Sequence, residues 1–523
     1  MNRFFTLLCS VAFSAAAMAT DYTDTIKVTV NGNSTTQSAT ISVDKQTNGK
    51  YTFNLRNFIL KAGNQQIPVG NVTLTDVDAY DINSVNTLYA SKNIRIARGD
   101  LPGVTWMGPM LSEKAPIPVQ MVAEQRDNSL YAVININMKS LGQVIQVTFG
   151  KGYEIQNGGF ENYRTESFQG IVGAVSGEEP YNWHSFLSAS GDNMIKQLGV
   201  SKSFTYVSDN IRPGSAGTHS VLLTSVDFGG IIANGTITTG RLNMGNMLPT
   251  DNSNHASLDI SNTATDSHGD PFYTLLNGRP DSLSVWVKFK QETPNTQYPY
   301  ATVSAVITDG TYYQEPLDKK YDNIMAEARN RYIESNNNEW QRISIPFEYN
   351  YADNINGKAI LVTVSTNASP GQGGGTDSLY IDDMELVYNQ NVNLSGVYVK
   401  NTEVTPADTM KVQLTAADIE SLTANDIKVY AANTNAKVIN TSFTKSNGGA
   451  TAEYIVYSND LKSNAVYRIE IADIATGIES INSNDARQAA GIYTTDGRRV
   501  STMKAGRIYI VRTADGKVTK IAK

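Results

Sequence analysis

Acidic side chains are the residues of this chain best suited to do chemistry, and their spacing decides which chemistry. Asn157-Gly158-Gly159-Phe160-Glu161-Asn162 places one glutamate behind a glycine pair, and Leu379-Tyr380-Ile381-Asp382-Asp383-Met384-Glu385-Leu386 places three acids in one strand-like run. Alternation along a strand sets Asp382 on the face of Tyr380, Met384 and Leu386, and Asp383 on the face of Ile381 and Glu385. A carboxylate on the more apolar face is buried and must be compensated. That favours Asp382 over Asp383 as the buried acid of this run. Glycoside hydrolysis needs two carboxylates about 5 to 9.5 Å apart, one of them held protonated. The nearest local match is Asp383-Met384-Glu385, two acids where retaining jelly-roll glucanases carry three at alternating positions, and a pair assembled from distant acids stays open. The four histidines, at 184, 219, 255 and 268, show no metal-ligand spacing. No Gly-x-Ser-x-Gly elbow is present, and Gly371-Gln372-Gly373-Gly374-Gly375 lacks the strand-to-helix context of a phosphate cradle. Aromatic rings can cover the C–H faces of a sugar while Asn, Asp and Arg take its hydroxyls. Tyrosines beside turns suit that role, namely Tyr298 and Tyr300 around Pro299, and Tyr312 and Tyr313 after Asp309-Gly310, with Trp183 and His184 as a rim. Trp286 and Trp340 lie among alternating apolar residues and are expected in the core.

The elements that must position these groups are strands. Tyr numbers 27 and Gly 40, only 18% of residues are charged, and few runs have helical period, so an all-β, multidomain chain is expected. Met1-Asn2-Arg3, an apolar stretch from Phe4 to Ala17 and the small-x-small Ala17-Met18-Ala19 read as a cleaved secretory signal over 1–19 and not as a membrane span. Cys9, the single cysteine, leaves with it, and thiol chemistry leaves too. The formal charge of −7 becomes −8 without Arg3, while residues 487–523 hold nine Lys or Arg against Asp496 and Asp515. No aromatic-studded basic groove accompanies that tail, so nucleic acid is not the expected partner. Runs such as Ile26-Val28-Val30, Tyr51-Phe53-Leu55 and Val144-Val147-Phe149 predict an up-and-down meander over 20–150 that closes into a barrel, with Trp106 as a loop or rim packing residue. Gly150-Lys151-Gly152 is a boundary. Further strand-like runs follow at 153–390, which the resemblance given below makes a jelly-roll β-sandwich, then a small immunoglobulin-like sandwich at 394–474 and a short β tail at 475–523. One stretch breaks the pattern: Leu317, Tyr321, Ile324, Met325, Ala328 and Tyr332 fall at helical spacing and predict an amphipathic helix over 317–334.

Three resemblances rest on these residues. The 20–150 segment resembles the calycin-like barrel domains of secreted Bacteroidetes proteins, without the Gly-x-Trp that opens true lipocalins. The ordered set of Asn157 to Glu161, Pro213 to Leu223, Ser282 to Phe289, Glu339 to Phe347 and Leu379 to Tyr388 resembles the jelly rolls of carbohydrate-binding modules. Through Tyr181-Asn182-Trp183-His184-Ser185 and the Gly371–Gly375 loop, it is similar to the Bacteroidetes "putative carbohydrate metabolism domain". The likeness to carbohydrate-binding modules implies a structural calcium held by Glu161 and Asp382, or Asp383; no other cofactor is expected. Gly491 to Val500, Ala505 to Arg512 and Gly516 to Lys523, with their Asp-Gly turns, look like a type IX secretion C-terminal sorting domain, which implies contact with that export machinery.

Together these expectations describe a protein at the bacterial surface or outside it, recognising a polysaccharide or host glycan without cleaving it. A glycoside hydrolase or related polysaccharide enzyme is the alternative, and a structural surface adhesin the third. Mass spectrometry of the exported chain should find Thr20 at or near the N-terminus; a membrane-bound form retaining residues 1–19 would overturn the compartment.

Overall fold

The computed structural model describes residues 19–474 and 489–522, apart from 63–64, 127, 139–141, 172, 192–193, 195, 197–203, 351–356, 447 and 514–517. All but the last residue of the expected leader lies outside the described residues. Two compact units are present. The first comprises Met1–Val392, Asn433–Lys437 and Tyr457–Asn464, and the second comprises Asn393–Ala432, Val438–Val456 and Ala465–Lys523. Among the described residues no helix is long and apolar enough to cross a membrane.

The first unit opens with a closed barrel of eight consecutive antiparallel strands, running from Thr20–Val30 to Gln143–Phe149. Closure is direct: Ile26 to Val30 pair with Asn33 to Gln37 on one side and with Ile145 to Phe149 on the other, so no edge is left to recruit another strand. Asn31 and Gly32 make the first two-residue turn at φ of 49° and 91°, the left-handed geometry that matches strand twist. Alternate residues point inward, and Ile26, Val28, Ile41, Val43, Phe53 and Phe149 belong to one buried cluster in the interior. Trp106 is buried in the loop before the short helix Gly108–Glu113, where its ring lies so close over Gly99 that a Cβ there would collide with it.

A β-sandwich follows. Its first sheet orders Thr205–Ser208, Ser220–Thr224, Ser378–Val387, Ser282–Lys290 and Gln341–Pro346. The second orders Thr236–Thr238, Ala359–Ser365, Ala301–Thr308, Ile324–Ile333 and Glu348–Tyr349. Val285, Val287, Phe289 and Ile381 from one side meet Val303, Ala305, Ile307 and Val362 from the other, all at 0–1% exposure. A small sheet of Ser190–Gly191, Arg241–Met244, His255–Leu258 and Tyr313–Glu315 covers part of the second sheet's outer face, burying Val306, Ala359 and Leu361 against Leu242, Leu258 and Tyr313.

Two expectations are corrected. Residues 317–334 are not a helix, because Ile324–Ile333 is a strand paired along Ala301–Thr308. Ala326 and Ala328 enter the core while Glu327 and Arg329 take the opposite face. The helical spacing arose by counting Leu317 and Tyr321, which precede the strand, together with Tyr332, which is 74% exposed. Trp286 and Trp340 are half-buried and not core residues. Trp286 lies under the Arg212 guanidinium at 5.3 Å, and Trp340 stands edge-on to Tyr380 at 6.3 Å.

Barrel and sandwich join through a buried polar seam. Tyr131 of the barrel stacks at 4.3 Å on Tyr153, which lies 5.9 Å from Tyr388 at the sandwich's far end. The Tyr153 hydroxyl donates to Glu124 Oε2 at 2.6 Å and accepts from Lys437 Nζ at 3.1 Å, while Lys437 also pairs with Glu124. Lys462 adds an ion pair to Glu154 at 2.9 Å. Burial raises the Tyr153 and Tyr388 hydroxyls well above 10 and pulls the Lys437 ammonium down.

In the second unit, a three-stranded sheet centres on Leu394–Val399, and a four-stranded sheet pairs Thr409–Leu414 in parallel with Asn464–Asp473. Beyond the undescribed 475–488, a four-stranded sheet orders Arg499–Val500, Ala489–Thr494, Ile508–Thr513 and Val518–Ala522.

The aromatic core of the sandwich is Trp183, wholly buried against Phe160 at 5.1 Å, with its indole N–H donating to Gln156 O at 3.1 Å. In urea denaturation, Trp183→Ala should cost about 3–5 kcal/mol, and Trp286→Ala less than half as much; equal losses would refute this assignment of the core.

Candidate functional site

Where the small sheet stops, the outer face of the second sheet changes chemistry along the same strands. Val306, Ala359 and Leu361 lie beneath the cover, whereas Thr302, Ser304, Thr363 and Ser365 line an open groove of about 780 Å³. Glu327, Arg329 and Arg331, at alternate positions of Ile324–Ile333, extend this polar floor. The opposite wall is apolar. Phe186, Phe204 and Phe228 stand edge-to-face in a row, with centroids 5.2 and 6.2 Å apart, and Ile231, Met247 and Leu317 leave 38–48% of their surface exposed at the rim.

Arg329 organises the floor. Its Nη1 donates to Ser304 Oγ at 3.0 Å and to Glu315, and its Nη2 reaches Glu327 Oε1 at 2.9 Å and the Tyr313 hydroxyl at 3.0 Å. Ser304 in turn donates to Glu315 Oε2 at 2.8 Å. The two glutamates differ in environment: the Glu315 side chain is 10% exposed and held on both oxygens, while Glu327 is 35% exposed. Burial, with repulsion from Glu348, raises the Glu327 carboxyl above its ordinary value. Charge-assisted hydrogen bonds of this kind fix side-chain geometry before any ligand arrives.

The aromatic residues expected to hold sugar are placed differently. Trp183 and His184 are wholly buried and form no rim. Tyr313 is also wholly buried, and its hydroxyl lies under the groove, against Arg329 and Glu315. Tyr312 is 41% exposed and donates to Gln314 Oε1 at 2.7 Å. Tyr298 and Tyr300 are half-buried, and Tyr300 packs on Tyr332 at 5.3 Å; none of these three contributes to the groove lining. Sequence reasoning missed Glu315, Glu327 and Arg329. The charged alternation Glu327-x-Arg329-x-Arg331 marked a strand with one polar face, and the apparent helical period hid it.

Glu161, Asp382 and Asp383 meet elsewhere, around one loop. Glu161 accepts the backbone N–H of Thr218 at 2.9 Å and of His219 at 3.1 Å. Asp382, wholly buried, accepts the Arg212 N–H at 3.0 Å, and Asp383 pairs with the Arg212 guanidinium at 2.5 Å. A glycine makes room for the first of these acids: a Cβ on Gly217 would collide with Glu161 Oε1. Burial pushes the Asp382 carboxyl up to about 6, against the Arg212 N–H that favours its charge. Asp382 is buried, but not by the expected alternation: Leu379 and Ile381 face the core, a bulge beside Asp383, at φ of 42°, brings Met384 to that side, and Asp382 falls beside Trp286 on the other face, where it meets Arg212.

Comparison with known proteins bears mainly on the barrel. No curated protein matches the chain. A solved structure from Bacteroides thetaiotaomicron VPI-5482, described as a "putative glycoside hydrolase", aligns over 69% of this chain and 83% of its own, at 14% identity and a TM-score of 0.28, and a likeness that slight carries no argument about fold or function. Residues 18–151 match the family described as "Calycin-like beta-barrel domain", and the closed eight-stranded barrel of this chain is accordingly a calycin-like domain.

Proposed function

We propose that this chain is a glycan-binding protein of the cell surface or its exterior, and that the ligand lies in the groove on the outer face of the second sandwich sheet. The observation that carries this reading is the facing of a phenylalanine wall by a floor of hydroxyl, carboxylate and guanidinium groups. Sugars are amphipathic in the same sense, with flat C–H faces and hydroxyl edges, and a site made of both surfaces orients a ring as well as holding it. Export is supported by Ala17-Met18-Ala19 behind a short apolar run, and engagement of a sorting machinery by the C-terminal sheet.

Hydrolysis is the second reading, and one observation favours it. Glu315 and Glu327 share the groove, and Glu327 has the raised carboxyl that a general acid needs. Against it, Arg329 bonds to both carboxylates, which suits ligand hydrogen bonding better than proton transfer.

A glycan array combined with a reducing-sugar assay on the full-length protein separates these readings. Binding without release is expected, and Glu327→Gln should weaken it about tenfold, the scale of one hydrogen bond to a charged group. Sugar release abolished by Glu327→Gln would promote the hydrolase. Neither binding nor release would leave the adhesin.

Calcium belongs to the same proposal. Glu161, Asp382 and Asp383 offer only oxygen, which is what calcium takes, and all three gather around the 212–219 loop. Chelation by EGTA should lower the melting temperature, and Glu161→Gln should remove that response; an unchanged curve with no calcium by elemental analysis would reduce these acids to anchors of the 212–219 loop.

A further inference from the structure

A second group of acids, away from the groove, carries more charge than its surroundings balance. Arg164 on strand Tyr163–Gly170 is wholly buried. Its Nη2 lies 2.6 Å from Asp266 Oδ2 and 3.1 Å from Glu179 Oε2, its Nε 3.3 Å from Glu166 Oε1, and its Nη1 3.5 Å from Asp270 Oδ2. The four acidic side chains are 0–18% exposed. Arg164 and Lys196, whose ammonium is drawn to Glu179 and Glu166, set two positive charges against four carboxylates, and buried carboxylates are retained only when paired or bound to metal. Glu179 is further satisfied by Ser185 and Ser188, whose N–H and O–H groups converge on its Oε1. Glu166 accepts from Ser267 Oγ at 2.7 Å, Asp270 from the Asn182 N–H at 2.7 Å, and Asp266 Oδ1 from the N–H groups of His268 and Asp270 at 2.9 Å, neutral donors that leave the charge in place.

Histidines face the same spot. Glu166, Asp266 and His268 each present a ligand atom, and the three atoms lie within 4.8 Å of one another. His184, wholly buried beside Phe272, aims Nε2 at Asp266 Oδ2 from 3.4 Å. Yet neither ring nitrogen, nor Asp266 Oδ2, makes a well-aligned hydrogen bond among the described residues. Buried polar atoms are rarely left in that state.

We propose that Glu166, Asp266 and His268, with His184 behind Asp266, form a site for one divalent first-row cation, zinc or manganese. Mixed imidazole and carboxylate donors suit these ions, whereas calcium prefers oxygen alone. The cation supplies the positive charge that Arg164 lacks, and Arg164 sets the spacing of the acids. It would tie the turn that carries Asp266 and His268 to the 163–180 hairpin, with His268, whose side chain is 34% exposed, on the solvent side as the entry point. This site is separate from the calcium position at Glu161.

The test uses full-length protein stripped with EDTA and titrated with zinc chloride or manganese chloride. About one equivalent should bind, and at a hundredfold excess over Kd the melting temperature should rise by about 3 °C. His268→Ala, at a partly exposed position whose loss the fold tolerates, should abolish the rise, and Glu166→Gln should do the same. Asp382→Asn should leave it intact. Absence of bound metal with no thermal shift for either ion would overturn the proposal, as would a response kept by His268→Ala and lost in Asp382→Asn.

Discussion

Strand alternation on the second sandwich sheet is the constraint on which the rest depends. Alternate residues of Ala301–Thr308 and Ala359–Ser365, with Met325, Ala326, Ala328 and Ile333 of Ile324–Ile333, are committed to the core, where Val303, Ile307, Ala328 and Val362 meet the first sheet. Only the residues between them are free to build a site. Covering one end of that outer face with a small sheet and leaving the other open divides a single surface into a dry half and a wet half. The dry half anchors Tyr313, and Tyr313 reaches across the division to the Arg329 network. Rigidity of the groove is thus inherited from the packing beside it, since a side chain locked below fixes the guanidinium above.

The seam between barrel and sandwich follows a different logic. Tyr131, Tyr153 and Tyr388 bring apolar rings, but their hydroxyls and Glu124 must be satisfied out of water, and Lys437 does part of that. Buried polar groups of this sort add little net stability and act mainly to fix one arrangement over others. They account for the barrel, the sandwich and residues 433–437 forming one compact unit, where composition and the glycines at 150 and 152 marked separate domains.

Much of the fold was legible because it is local. Alternating runs such as Ile26-Val28-Val30 and turn pairs such as Asn31-Gly32 specify a meander within a few residues of themselves, whereas the bulge beside Asp383 broke the alternation on which the face of Asp382 had been read. The groove was not legible. Its floor draws on residues 236, 302, 304, 327, 329, 363 and 365 and its wall on 186, 204 and 228, and no window of sequence contains that combination. The Arg164 cluster failed for the same reason: its histidines lie 84 residues apart and come together only through tertiary contacts. Tryptophan was misleading in both directions, since surroundings of alternating apolar residues did not bury Trp286, while Trp183, in a polar stretch, became the centre of the core.

The tyrosine and lysine seam bears on how such a chain is inherited. Glu124 belongs to the barrel, Tyr153 and Tyr388 to the two ends of the sandwich, and Lys437 to a segment beyond both. Recombination that exchanged the barrel for another, joined at Gly150 to Gly152, would strand the Lys437 ammonium and the Tyr153 phenol in an apolar setting unless the newcomer brought its own carboxylate to the same place. Barrel, sandwich and the segment that carries Lys437 are therefore expected to travel together through evolution as a single heritable block.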